Sequence, residues 1–215
     1  MTMYRYYPSC VFRTIDAQAD DCLTQYAKAQ MMEIAGCCRF DHKKTEAQDR
    51  SLYVCQACRT NISAIGNTPE SLWLYLDQDT SFVFPDYHGM KMTLQDCWRY
   101  RDHTEIHDAV RSLLAKMNIE VAELPANRTK ADFCGRFHCT TERYTELRKQ
   151  YDPDIHLDHL PDHLYEKIMH EHVQQYPTEY VICCCNTCYK GIQTGGGHPI
   201  HLAQLLFQTV NLSQK

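Results

Sequence analysis

The 215-residue chain lacks any apolar run near the ~18 residues that a membrane span requires, and its opening "MTMYRYYPSC" has no apolar core of signal-peptide length. The expectation is a cytoplasmic protein with no membrane span. It also lacks a dense Lys/Arg stripe, and its formal net charge is −5. Nucleic acid and anionic lipid are held by clustered positive charge, so neither is an expected partner. No G-x-G-x-x-G frame and no P-loop Lys-Ser/Thr is present. The glycines of "GIQTGGGHP" fit neither pattern and read as a turn that lets backbone approach a site. A ferredoxin C-x2-C-x2-C-x3-C-P run is absent, as is any Ser/His/Asp order or paired-carboxylate arrangement. A redox protein of this kind takes its electrons from a partner.

What the chain has in excess is cysteine, 13 of them in an otherwise ordinary composition of 44% apolar and 23% charged residues. A disulfide framework is the plain alternative. It fails on the odd count, on adjacent pairs such as Cys37-Cys38, and on the reducing cytosol in which disulfides do not persist. Metal or redox chemistry remains.

The cysteines sit in a duplicated unit. Laid without gaps on "CQACRTNISAIGNTPESLWLYL" at an offset of 130, "CNTCYKGIQTGGGHPIHLAQLL" gives seven identities in 22 positions. They pair Cys55 with Cys185, Cys58 with Cys188, Ile62 with Ile192, Gly66 with Gly196, Pro69 with Pro199, Leu72 with Leu202 and Leu76 with Leu206. "CCRF" at 37–40 and "FCGRF" at 133–137 add a fainter echo. The spacing predicts an α/β fold of two internally repeated Rossmann-like βαβ units, 1–86 and 87–215, with parallel sheets and right-handed crossovers. In the second unit Met92–Leu94 and "IEVAEL" read as strands. The helix between them turns Ile106, Val110, Leu113, Leu114 and Met117 inward, with Asp102 and Glu105 as a capping box. In the first, "MYRYY" reads as a strand and a helix runs from about Ala17 to Ile34, ended by Gly36. "LYV", "SFVF" and "YVI" are further strand candidates.

Cys10, Cys55, Cys97 and Cys183 to Cys185 each follow a predicted strand, and parallel α/β sheets gather ligands at the carboxyl ends of their strands. The candidate ligands are therefore Cys10, Cys37, Cys38, Cys55 and Cys58 in the first unit and Cys97, Cys134, Cys185 and Cys188 in the second. A C-x-x-C turn brings two sulfurs to one ion or to adjacent irons and needs further ligands from elsewhere, which each unit supplies. Zinc and iron-sulfur clusters both remain open at this point. Cys22 reads as a small core residue and Cys139 is unassigned. The histidines of "HLDHLPDHLYEKIMHEH" read as a solvated polar helix rather than a metal cluster, because Pro161 interrupts the shared face. His198 and His201 read as capping and packing residues.

The order of one Cys, then a Cys-Cys-Gly-like segment, then C-x-x-C, occurring twice, resembles the cysteine-rich CCG-domain family. That family includes the cysteine-rich subunit of heterodisulfide reductase and the iron-sulfur subunits of lactate and glycolate oxidation systems. "LQDCWRYR", "VAELPANRTKADFCG" and "VICCCNTCYKGI" with "GHPIHLAQLL" carry the closest likeness. The chain departs from the pattern at Arg39, where the family has glycine, in the short connection of 16 residues between Cys38 and Cys55, and at Phe133, which replaces a cysteine. The resemblance implies an iron-sulfur oxidoreductase or a subunit of one. It would carry [4Fe-4S] clusters, non-cubane in the first unit, and in the second a four-thiolate cubane or a site completed by Cys183 or Cys184. It implies electron transfer, with reduction of a disulfide or thiol substrate, and a redox partner that carries ferredoxin-like clusters or flavin. The alternatives are a non-catalytic electron-transfer subunit and a zinc-binding scaffold.

Overall fold

Short apolar runs become parallel strands here because helices cover them, so most strand residues are buried on both faces. The computed structural model describes residues 2–150 and 152–212. In the first unit β1 (Tyr4–Tyr7), β2 (Glu33–Ile34), β3 (Arg50–Tyr53) and β4 (Pro69–Ser71) alternate with α1 (Cys10–Arg13), α2 (Ala17–Ala29), α3 (Gln56–Ala64) and α4 (Leu72–Gln78). In the second, β5 (Met90–Gln95), α5 (Thr104–Lys116), β6 (Ile119–Glu123), α6 (Glu142–Gln150), α7 (Asp162–Val173), β7 (Tyr180–Cys183), α8 (Asn186–Thr194) and β8 (His198–His201) follow, and α9 (Leu202–Leu206) comes after them. The sheet orders are β2-β1-β3-β4 and β6-β5-β7-β8, all parallel, which is one topology used twice.

The repeat holds in detail: α3 and α8 lie 130 residues apart end to end. Gly66 and Gly196 both take the left-handed conformation, with φ of 84° and 82°, that closes the turn after each helix. Residues 86–202 form one compact unit, while those up to Pro85 and those from Ala203 onward group as the other. The segment after Leu202 therefore belongs with the first unit, not with 87–202 as expected.

The inward stripe of α5 is as expected, with Ile106, Val110, Leu113, Leu114 and Met117 all buried. Its first turn uses no capping box, since the N-cap is His103 without a side-chain bond. The first long helix is shorter than its sequence pattern. Asp16 caps it through Ala19 N–H, it ends at Ala29, Met31 turns at φ 56°, and Ile34 belongs to β2. "SFVF" is not a strand, whereas Pro69–Ser71 and His198–His201 are. Among the described residues no helix is long and apolar enough to cross a membrane.

Candidate metal centres

In the second unit the β5, β6 and β7 ends and the first turn of α8 bring four thiols together. The Sγ atoms of Cys97, Cys134, Cys185 and Cys188 all lie within 4.8 Å of one another, and all four residues are buried. Cys97 follows β5, and the next residue, Trp98, donates its N–H to Phe133 O across the site. Cys134 N–H bonds His138 O, so residues 134–138 close on themselves and fix the ligand-bearing bend. The end of β5 and the loop from β6 are pinned by a buried carboxylate. Asp96 takes Arg111 at 2.7 Å and the Arg128 N–H at 2.8 Å, while Arg111 also grips Glu123 at 2.6 Å.

Two glycines let the walls of this centre meet. Gly135 Cα packs on Gly191 of α8 and on Thr187 O, and a Cβ at Gly191 would stand 2.8 Å from Gly135 Cα. The ring of Phe133 lies on Gly191 and stacks on buried His172 with centroids 3.7 Å apart. Phe133 and His172 thus form an aromatic seal beside the four thiols. Thr187 Oγ1, between the two cysteines of the C-x-x-C, lies 3.2 Å from Cys134 Sγ and 3.1 Å from Cys185 Sγ.

The thiols share their protons. Hydrogen bonds from Cys185, Cys188 and Cys97 hold Cys134 well below the ordinary thiol range, and burial pushes Cys97 and Cys188 well above it. A bound cation takes the place of those protons and allows all four sulfurs to be thiolates, which is the condition for tight metal binding. Cys183 and Cys184 are not in the group. Strand alternation turns the Cys183 thiol to Ile200 O at 3.8 Å, and Cys184 faces the charges of Asp96 and Arg111.

In the first unit the five expected cysteines also gather at the strand ends, but loosely. Cys58 shares hydrogen bonds with Cys38 and Cys55, and Cys10 feels the charges of Cys37, Cys38 and Cys55. Among the described residues no three of these thiols lie within 4.8 Å of one another. Cys10 is exposed, Cys37, Cys38 and Cys55 are half-buried, and Cys58 is buried.

The repeat explains the difference. Arg39 follows Cys38 as Gly135 follows Cys134, and Asn61 stands at the position of Gly191. Two glycines in contact become two bulky polar residues, so the bend and the helix cannot close. Asn61 reaches across instead and donates to Cys38 Sγ at 3.3 Å. With the hydrogen bond from Cys58 and this one, the Cys38 thiol comes down to about 6 against the cost of burial.

Sequence reasoning named the cysteines but not Thr187, Asn61 or the Gly135–Gly191 contact. The one available signal was positional, since all lie within or one turn beyond the repeated C-x-x-C and its Cys-Cys-Gly counterpart. It also misread His172, which is buried on α7 beside Ile168 and Met169 rather than solvated. His201 is fully buried and His198 exposed. Cys139 is buried and pushed up to about 11 by burial, beside Thr141. Cys22 is half-buried on α2. His156, Asp158 and His159 form a second, exposed group of potential ligands, but Asp158 is already paired to Arg136 at 2.6 Å. No family model, curated protein or solved structure matches the chain.

Proposed function

We propose that the chain is an iron-sulfur oxidoreductase subunit of the heterodisulfide reductase type, with an open cluster site on the first unit and a closed single-ion site on the second. The observation that carries the reading is the pair of thiol sets at matching strand ends, one splayed and part-exposed, the other compact and buried. A tetrahedral ion with Zn–S bonds of ~2.3 Å places its sulfurs roughly 3.8 Å apart. The four sulfurs of the second unit, all within 4.8 Å of one another, suit that spacing. Each thiolate of a four-iron cubane sits on its own iron and stands further out. Zinc is therefore the assignment for Cys97, Cys134, Cys185 and Cys188, in place of the second [4Fe-4S] cluster that the resemblance implies.

Five thiols exceed what a tetrahedral ion takes, which favours a cluster of the non-cubane [4Fe-4S] type on Cys10, Cys37, Cys38, Cys55 and Cys58. Such a cluster, when bound, supplies one-electron steps and a thiophilic iron. The chain's own part is to leave one edge open at Cys10 for a disulfide and to hold Cys38 by the Asn61 amide. Splitting a disulfide consumes two electrons and two protons and releases two thiols. The electrons come from a partner subunit carrying ferredoxin-like clusters or flavin.

Anaerobic purification with iron, sulfide and zinc analysis on one sample tests this. About four irons, four sulfides and one zinc per chain are expected. Cys38→Ser should lose the iron and keep the zinc, and Cys134→Ser the reverse. Zinc without iron or colour would sink the redox reading and leave a metal-stabilised scaffold. Iron present but idle unless a dehydrogenase complex is assembled would assign the electron-transfer role of the lactate and glycolate relatives.

A further inference from the structure

Trp98, next to Cys97, together with residues from 137–148 and 153–156, lines a cavity of about 290 Å³ that no part of the proposed chemistry uses. Its walls are aromatic, and the charged side chains that line it are Arg148 and Asp154. Trp98, Phe137, His138 and Tyr144 line it with Arg148 and His156. The wall is built rather than incidental. Tyr144 is 1% exposed, and its hydroxyl donates to Ile155 O and lies 3.4 Å from Phe137 O, which brings residues 137 and 155 to one point. Arg148 crosses the Tyr144 ring at 5.9 Å and donates its Nε to Pro153 O at 2.5 Å, which leaves the terminal amines of its fork without a partner among the described residues.

Other guanidiniums stack on the same rings. Arg101, paired with Asp102 at 3.9 Å, lies over Trp98 at 4.7 Å, and Arg99 and Arg136 lie over Phe137 at 4.9 and 5.1 Å. Arg136 is neutralised by Asp158, and Asp154 at the rim is the one carboxylate lining the cavity. A pocket with rings for walls and an arginine fork at its mouth suits a flat ring carrying an acid group, the rings taking the apolar part and the fork the anion. The size is near the lower end of the roughly 300–1,000 Å³ typical of ligand pockets, enough for a one- or two-ring compound.

We propose that this cavity is a binding site for a small aromatic or heteroaromatic anion, with Arg148 as the anion-binding residue. The geometry carries it independently of which metal the cysteines hold. The test uses the full chain as purified, with calorimetry and the fluorescence of Trp98, one of two tryptophans. The other, Trp73, is fully buried in the first unit and serves as the silent reference.

Nicotinate is titrated against nicotinamide, and quinoline-2-carboxylate against quinoline-2-carboxamide, each pair sharing a ring system and differing in charge. Saturable one-to-one binding of at least one anionic member is expected, about tenfold or more tighter than its neutral twin. Arg148→Gln should erase that preference and Arg148→Lys restore part of it, with metal content unchanged in both. Preference for nicotinate identifies a single-ring acid as the occupant, and preference for quinoline-2-carboxylate a two-ring acid. Failure of both anions to bind at millimolar concentration, or equal binding of charged and neutral twins, overturns the proposal while leaving the metal assignments untouched.

Discussion

At the residue scale, a difference of two side chains separates an open thiolate site from a closed one. Gly135 and Gly191 meet where Arg39 and Asn61 stand in the other unit. Gly135→Ala drives a Cβ into Thr187 O and the Gly191 backbone, neither of which is a flexible side chain. The expected cost is about 1–3 kcal/mol, with loss of the zinc proposed for the second unit, whereas Arg39→Ala at the matching exposed position changes stability by less than about 0.5 kcal/mol. Thermal melts together with zinc per chain check both. His172 gives a second residue-level expectation. Burial pushes its pKa down to about 3, so the imidazole under the Phe133 ring is neutral in the folded protein. In the unfolded chain it titrates near ~6.5, so the unfolded state binds the extra proton at intermediate pH. The stability tied to neutral His172 is complete above that pH and drains away as pH falls toward 3. Between pH 7 and 5 the wild type should lose about 2 kcal/mol more than His172→Gln. Parallel urea-stability curves for the two proteins over that range would mean that the folded protein accommodates the imidazolium.

At the element scale, the end of β5 and the loop after β6 are held for the cysteines by one buried ion pair. Arg111→Met removes the guanidinium from Asp96, which is 2% exposed, and leaves a carboxylate with only the Arg128 N–H. Breaking a buried pair on one side costs about 3–5 kcal/mol. Restoring a neutral partner with Asp96→Asn in the same chain should recover part of it, and a denaturation series on the single and double variants reads this out. The elements themselves were largely legible. β5, α5 and β6 follow from a period-3.6 stripe between two apolar runs, and α8 with β8 follows from α3 with β4 once the offset of 130 is seen. The errors have local causes. The apolar stripe of α2 continues in register to Met31 and Ile34, but the left-handed turn at Met31 ends the helix, and nothing in that stripe registers a single backbone reversal. β4 and β8 carry prolines and histidines, and they are strands because β3 and β7 offer them an edge to pair with, a tertiary fact. The four clustered cysteines of the second unit were legible because the repeat marks Cys134, Cys185 and Cys188 and the end of a predicted strand marks Cys97. The aromatic seal at Phe133–His172 was not, since it joins residues 39 positions apart that no motif links.

At the scale of the whole molecule, the same parallel sheet is built twice, and its strand ends carry cysteines in two arrangements, one buried and compact, the other part-exposed. The second unit hides its sulfurs, so a metal there acts on folding, because the unfolded chain has no such site and the binding free energy adds to stability. The first unit leaves sulfurs at the surface, where a bound centre exchanges with solutes more readily. A membrane-impermeant chelator at neutral pH should therefore strip metal from the two units at very different rates. Loss from the first unit is expected within minutes and without unfolding. Loss from the second should track global opening of its unit, with a rate that rises in mild urea. Removing the ion proposed there would leave four buried thiols sharing protons among themselves, a poor exchange for four metal–sulfur bonds. The melting temperature of that unit should drop by roughly 10 °C or more, as a loss of several kcal/mol implies for a domain of this size. Scanning calorimetry before and after chelation checks this. Equal release rates from both units, or an unchanged upper transition after zinc is gone, would mean that the burial of Cys97, Cys134, Cys185 and Cys188 does not depend on metal, and that the second set is a core packed with cysteine rather than a centre.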